Sequence, residues 1–222
     1  GEYSDVGGKL FQSEQREMAI QNTVMTRQGI SQLTKYAYRY AQKHQYKKIT
    51  NATKSNAVIH VMKFWDEVVE EVAAQHPEYE YEKYYIDALV AYFVQRPETF
   101  EVVIASNLFG DILSDLGSAI VGGLGMAPSG NINPEKNFPS MFEPVHGSAP
   151  DIAGQGIANP IAQIWSIALM LDHFGEKELH DKVVEAIEDL LKERSTLTKD
   201  IGGNSTTAEV GDALVEKLRQ KI

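Results

Sequence analysis

An α/β fold is predicted for this 222-residue chain by three features of its sequence. Short β-branched runs alternate with longer stretches whose apolar residues recur every three or four positions. The sharpest strand, Val102-Val103-Ile104-Ala105, leads at once into Asn107-Leu108-Phe109-Gly110-Asp111-Ile112-Leu113-Ser114-Asp115. Polar residues also gather just after the strands, where α/β proteins place their sites.

Taken in order, residues 4–15 are polar and contain glycine, and they read as a loop or a short hairpin. From Thr26 to His44 the apolar residues Ile30, Leu33, Ala37, Tyr40 and Ala41 have helical spacing. Tyr46 to Thr50 reads as a strand and Asn51 to Asn56 as a polar loop. Val58, Val61, Met62, Trp65, Val68, Val69 and Val72 mark a long amphipathic helix that His76-Pro77 ends. Tyr79 to Ile86 is a strand that delivers Asp87, and Ala88 to Val94 is helical until Arg96-Pro97. After the strand at 102–105, Gly110 reads as the turn, with Asp111 and Asp115 at the start of a helix. Gly117 to Gly125 is rich in small residues, which permit close packing. Ala127 to Ser140 is a loop with three prolines. Asn159 and Pro160 form the N-cap and first position of a helix whose inner face is Ile161, Ile164, Ala168 and Leu171. A helix from Glu178 to Lys192 turns Leu179, Val183, Ile187, Leu190 and Leu191 inward. Thr198 to Ser205 is a loop, and Thr206 with Glu209 makes a capping box for the last helix.

Composition narrows the function classes. The formal charge of -10 and the lack of any dense basic cluster argue against nucleic-acid binding. Without cysteine there is neither a disulfide framework nor a thiolate metal site. No apolar run has membrane-spanning length and no signal-peptide pattern opens the chain, so the reading is a cytoplasmic protein without a membrane partner.

Asp111 and Asp115 stand four apart, which places both carboxylates on one helix face. Two close carboxylates repel unless a cation sits between them, and oxygen-only ligands favour Mg²⁺ or Mn²⁺ over zinc. The alternative is a helix-terminal charge at Asp111 and a solvated Asp115. Lys54 lies in a polar loop between a strand and a helix, where a lysine is ordinarily solvated. Asp87 emerges from an apolar strand and could equally serve as a helix cap. His146-Gly147-Ser148-Ala149-Pro150-Asp151 joins small residues, which let backbone approach a ligand, to an acid able to accept ribose hydroxyls. The usual dinucleotide fingerprint G-x-G-x-x-G is absent. These residues alone support a metal-dependent α/β protein with a nucleotide loop, or a rigid turn in that loop's place.

Taken together, Gly1-Glu2-Tyr3-Ser4, Thr53-Lys54-Ser55-Asn56, Ile86-Asp87, Asn107 to Asp115, Glu143 to Asp151 and Ile157-Ala158-Asn159-Pro160 resemble the β-decarboxylating dehydrogenases. The wording Thr53 to Asn56 and Ala105 to Gly110 is most similar to the tartrate and D-malate branch, with isopropylmalate and isocitrate dehydrogenases as the alternatives. The resemblance implies an isocitrate/isopropylmalate dehydrogenase-like fold. It implies NAD- and metal-dependent oxidation of a 2-hydroxy dicarboxylic acid, with Asp87, Asp111 and Asp115 holding Mg²⁺ or Mn²⁺. It makes Tyr3, Lys54 and Asp87 catalytic, Lys54 accepting the hydroxyl proton and Tyr3 protonating the enolate carbon. It gives cofactor contacts to Asn56, Asn107, Glu143, His146, Gly147, Ser148, Ala149, Asp151 and Asn159. NADP-using members carry lysine and tyrosine where this chain has Asp151-Ile152, so the resemblance implies NAD, whose free ribose hydroxyls an aspartate accepts. It also implies a homodimer, since in the family the lysine and one aspartate of each site come from the second subunit.

Members of the family are longer, with over a hundred residues before the match to Gly1 that include the substrate-binding arginines. The expectation is therefore an N-terminally truncated fold. Residues 1–120 would form the smaller, dimer-forming domain, incomplete at its start, and residues 121–222 the second half of the cofactor domain. A catalytically incompetent dimeric fragment follows as one alternative, and a phosphatase built on Asp111 and Asp115 as another. Without the opening strands, the inner faces around Ile164, Leu171, Ile187 and Leu191 are expected to be exposed or covered by a partner.

Overall fold

A computed structural model describes residues 1–222. The chain divides into two compact units, Gly1–Leu116 and Gly117–Ile222. It has the α/β architecture of alternating strands and helices, and no helix is long and apolar enough to cross a membrane.

The first unit opens with an antiparallel hairpin of β1 (Val6–Leu10) and β2 (Met18–Asn22), paired from Val6 with Asn22 to Leu10 with Met18. The hairpin is longer than the 4–15 stretch expected, because every residue of both strands is exposed and no alternation marks them. Helix α1 (Arg27–His44) follows, capped by the Thr26 hydroxyl, which accepts from the Gly29 N–H at 3.1 Å. Strand β3 (Lys48–Thr53), helix α2 (Ile59–Ala73), strand β4 (Glu80–Tyr85), helix α3 (Ile86–Gln95), strand β5 (Val102–Ile104) and helix α4 (Asn107–Ile120) complete it, α4 running on past Leu116. The three strands form a parallel sheet in the order β4-β3-β5.

Alternation along the strands assigns the two faces of this sheet. Ile49 and Ile104 pack with Ile30, Ala37 and Ala41 of α1 and with Met62, Trp65 and Val69 of α2. Ala52 and Val103 point the other way and meet Leu89 of α3 and Leu113 of α4. Both faces are thus covered, as parallel sheets require. Strand β3 extends through Asn51, Ala52 and Thr53, which the sequence presents as a loop. Asn51 and Thr53 are polar yet buried, so their polarity hides a central strand. Gly110 is not the turn out of β5. It lies inside α4, its N–H donating to the Ser106 carbonyl at 2.7 Å, and the turn falls at Ala105-Ser106.

The second unit combines an antiparallel pair, β6 (Pro128–Asn131) with β7 (Met141–Pro144), and three helices, α5 (Ile161–Phe174), α6 (Lys177–Glu193) and α7 (Thr207–Arg219). Strand β6 occupies part of the expected proline loop. Pro160, not Asn159, holds the N-cap position of α5, so the helix starts one residue later than expected; the Asn159 side chain still accepts from the Ile161 N–H at 3.0 Å just ahead of it. The Thr206–Glu209 capping box is present in full. The inner faces of these helices are not left open. Ile161, Ala168, Val183, Ile187, Leu190, Val210 and Leu214 form one buried core, with Ile164, Leu171 and Leu191 packed against it. The three helices therefore satisfy one another, which is why the expected exposure does not occur.

Candidate active site

The ends of the parallel strands hold the first group of polar side chains. Thr53 and Tyr85 are register partners at the ends of β3 and β4. Lys54 is the next residue on one side, and Asp87 lies in the first turn of α3 on the other. The Lys54 Nζ donates to Asp87 Oδ1 at 2.5 Å. That hydrogen bond, with a further one from its own backbone N–H, holds the Asp87 carboxyl below the usual carboxylate range. The Lys54 carbonyl accepts from the N–H groups of Ala57 and Val58 at 3.0 and 2.9 Å, which fixes the turn carrying the lysine. Asn56 is exposed on the same turn.

A second group stands on α4. Asp111 and Asp115 are both exposed, one turn apart on the helix. The Tyr3 hydroxyl lies 3.4 Å from Asp111 Oδ2, a long contact. Partial desolvation and the Asp111 charge raise the Tyr3 phenol above its ordinary value, so it stays protonated at neutral pH. Asn107 begins the same helix and lines a small cleft with Ser106 and Trp65. Within one chain, no three Asp, Glu or His residues come close enough to hold a metal ion. The first unit thus carries two separate pairs, Lys54 with Asp87 and Tyr3 with Asp111.

The second unit holds a cleft of about 840 Å³, within the range that accommodates a cofactor-sized ligand. His146, Gly147, Ser148, Ala149 and Asn159 all line it. His146 Nδ1 lies 2.8 Å from the Gly147 carbonyl; that contact puts a proton on Nδ1 and leaves Nε2 toward solvent or ligand. Ala149 takes a left-handed backbone, φ +44°, and its carbonyl accepts from the Ile152 N–H at 3.1 Å. Asp151 is exposed beside the lining residue Ile152, while Glu143 sits exposed on β7 outside the cleft. Asn56 and Asn107 belong to the first unit and do not line it.

Three lining positions carry no sequence signal of their own. Lys199 and Asp200 come from the stretch read as a loop, which forms a short 3₁₀ turn, Lys199–Ile201. Asp200 Oδ2 accepts from the Asn159 amide at 3.0 Å, so it sets the direction of the Asn159 side chain. Gly125 faces both: a Cβ there would stand 2.9 Å from Asn159 Cβ and from Asp200 Oδ2. Only the D-I-G-G wording after Lys199 could have hinted at a ligand turn.

A profile of isocitrate/isopropylmalate dehydrogenases matches residues 1–214. The chain belongs to this family. The dehydrogenase family resemblance extends to individual relatives. A probable tartrate dehydrogenase/decarboxylase of Bacillus subtilis (strain 168) is 54% identical over 220 residues, covering 99% of this chain and 61% of the relative. The tartrate dehydrogenase/decarboxylase of Pseudomonas putida is 50% identical over 224 residues, with 98% and 61% covered. The decarboxylating D-malate dehydrogenase of Escherichia coli (strain K12) is 50% identical over 219 residues, with 96% and 60% covered. Among solved structures, isocitrate dehydrogenase from Methylococcus capsulatus superposes with a TM-score of 0.91 at 35% identity, covering 99% of this chain and 65% of that one. The chain thus spans about 61% of the length of the curated dehydrogenases it matches.

Proposed function

We propose that the whole protein is a cytoplasmic, homodimeric dehydrogenase that oxidises and decarboxylates tartrate or D-malate with NAD and Mg²⁺ or Mn²⁺. The observation that carries this reading is the division of the expected catalytic set into two pairs. Lys54 with Asp87 and Tyr3 with Asp111 are each assembled, but separately. A two-fold assembly can complete both sites at once, because an isologous contact exchanges one pair for the other. In this reading residues 1–120 form the dimerising domain and residues 121–222 the second half of the cofactor domain.

The residues present suit the two groups the family implies. Asp111 and Asp115 are hard oxygen donors on one helix face, and a third carboxylate, Asp87, would come from the partner subunit. The cleft of the second unit suits an adenosine, lined by the hydrogen-bonded Asn159 and Asp200 and by the residues of the His146–Ala149 turn. An ion held there would supply polarisation of the substrate's hydroxyl and developing carbonyl, and NAD in the cleft would supply the hydride acceptor.

The chain's own residues then handle the protons. Lys54 takes the 2-hydroxyl proton as hydride leaves the same carbon, giving the 2-oxo acid, and the Asp87 carboxylate stabilises the ammonium so formed. The carboxylate carried on the neighbouring carbon, β to the 2-oxo group, departs as CO₂ and leaves its electron pair on that carbon as an enolate. Tyr3, protonated at neutral pH, donates its phenolic proton to that carbon. Asp151 beside the cleft favours free ribose hydroxyls over a 2′-phosphate, which supports NAD.

Identity of 50–54% to dehydrogenases named for tartrate and D-malate, against 35% to a structure named isocitrate dehydrogenase, favours the former substrates. The test is oxidation of D-malate, tartrate, isocitrate and isopropylmalate by the full-length protein, with NAD or NADP and Mn²⁺. Turnover of D-malate or tartrate at about 1–1000 per second with NAD is the expected result. Turnover of isocitrate or isopropylmalate alone, or of a phosphate ester, overturns it.

A further inference from the structure

Beneath the Lys54 turn lies a polar network inside an otherwise apolar layer. Asp66, on α2, is only 6% exposed. Its Oδ2 accepts from the Ser55 hydroxyl at 2.7 Å and from Lys83 Nζ at 3.3 Å. Its Oδ1 accepts from Asn51 Nδ2 at 3.2 Å. Asn51 is fully buried in the central strand β3; its Oδ1 accepts from Trp65 Nε1 at 2.7 Å, and its amide also donates to the Tyr81 hydroxyl at 3.1 Å. Burial pushes the Tyr81 phenol up to about 12, so it remains a neutral partner. Lys83 is held in turn by Glu70 at 2.6 Å.

Such a network is costly. A buried carboxylate with hydroxyl, amide and ammonium partners is seldom worth more to stability than apolar residues of the same shape. Its geometry, however, is aimed at one place. Asp66 grips Ser55, the residue directly after Lys54, and the Ser55 N–H donates to Thr53 Oγ1 at 3.2 Å on the other side. The Lys54 carbonyl is fastened by Ala57 and Val58. Every backbone neighbour of Lys54 is therefore anchored, and the anchor on the Ser55 side runs through α2 into the middle of the sheet.

We infer that Asp66 is a positioning residue. Through the Ser55 hydroxyl, and braced by Asn51, Trp65 and Lys83, it sets where the Lys54 Nζ stands relative to the substrate hydroxyl. The inference rests on the proposed role of Lys54. It adds that this role depends on a side chain that touches neither substrate nor cofactor. A displacement of about 1 Å in a reacting group can cost roughly a hundredfold in rate, so a side chain that removes that freedom has a measurable effect.

The test is a mutant cycle in the full-length protein, with D-malate, NAD and Mn²⁺. Ser55→Ala and Asp66→Asn should each lower kcat by roughly tenfold to a hundredfold, with KM for D-malate and NAD within about twofold. Ser55→Thr, which keeps the hydroxyl, should recover most of the loss seen in Ser55→Ala. On a Lys54→Ala background the same two changes should cost nothing further, because the group they position is gone. Losses that multiply with that of Lys54→Ala, or an unchanged kcat in Ser55→Ala, overturn the inference. Should Asp66→Asn fail to fold, Ser55→Ala and Ser55→Thr decide the matter alone. If Lys54→Ala itself retains full activity, the catalytic reading of Lys54 falls instead, and the two failures are thereby told apart.

Discussion

Lys54 and Asp87 meet at 2.5 Å across the ends of two adjacent parallel strands, β3 and β4. The pairing holds the Asp87 carboxyl below its ordinary value of 3.8. Its folded-state pKa is thus lower than its unfolded one, so its stabilising contribution is fully present above pH 4. That contribution fades as pH falls through the depressed value. Carbon-13 NMR titration of the Asp87 carboxyl should give a midpoint below 3.8. In Lys54→Met the midpoint should move up, since the largest cause of the depression is removed. An unmoved midpoint would show that the pair does not persist in solution.

Asp111 supplies the metal-binding half of the proposal. Asp111→Asn keeps the shape of the side chain and removes its charge, which a hard divalent ion requires. Mn²⁺ affinity of the full-length protein, measured by calorimetry, should fall by about tenfold or more, since even outer partners of metal sites carry that much. The Tyr3 phenol should respond as well, because the Asp111 charge is one of the causes raising it. Equal Mn²⁺ affinity in the variant and the parent would remove Asp111 from the ligand set.

Gly125 makes the cofactor cleft testable without touching any polar group. A Cβ at this position would meet Asn159 Cβ and Asp200 Oδ2 at 2.9 Å, closer than side chains tolerate. Either the Asn159–Asp200 bridge shifts or the wall moves into the cleft. Overpacking of this kind costs about 1–3 kcal/mol. Gly125→Ala should therefore weaken NADH binding in a fluorescence titration by roughly fivefold to a hundredfold. An unaltered NADH affinity would place the adenosine elsewhere.

Much of the fold was legible because its signals are local. The Thr206–Glu209 box and the 3.6-residue spacing of Met62, Trp65 and Val69 need no tertiary knowledge to be read. The misread segments share one cause, which is that tertiary partners overrule local appearance. Asn51 and Thr53 look like loop residues until α2 supplies an aspartate and an indole to the strand. Gly110 looks like a turn, yet its bare Cα faces Ala105, where a Cβ would rest 3.9 Å away, and the helix runs through it. Met18–Asn22 has no buried face, so no periodicity could mark it as a strand. In the site, motif residues were visible in sequence, but Asp200 and Gly125 act through Asn159 across gaps of 41 and 34 positions, and short-range spacing does not reveal that.

Burial in the second unit separates two isoleucines that hydropathy alone treats alike. Ile187 on α6 is 2% exposed in the core shared with α5 and α7, whereas Ile167 on α5 is 43% exposed. Truncating Ile187 to alanine removes about three methyl-sized groups from a site enclosed by Val183, Leu190, Val210 and neighbours, and leaves a cavity there. The expected cost is roughly 2–5 kcal/mol. Ile167→Ala removes the same atoms from a half-solvated surface, and its cost should stay below about 1 kcal/mol. Urea denaturation of the 222-residue chain, followed by far-UV circular dichroism, measures both. Equal, small effects would mean that α5, α6 and α7 do not pack on one another when this chain stands alone, and that their inner faces need covering from outside.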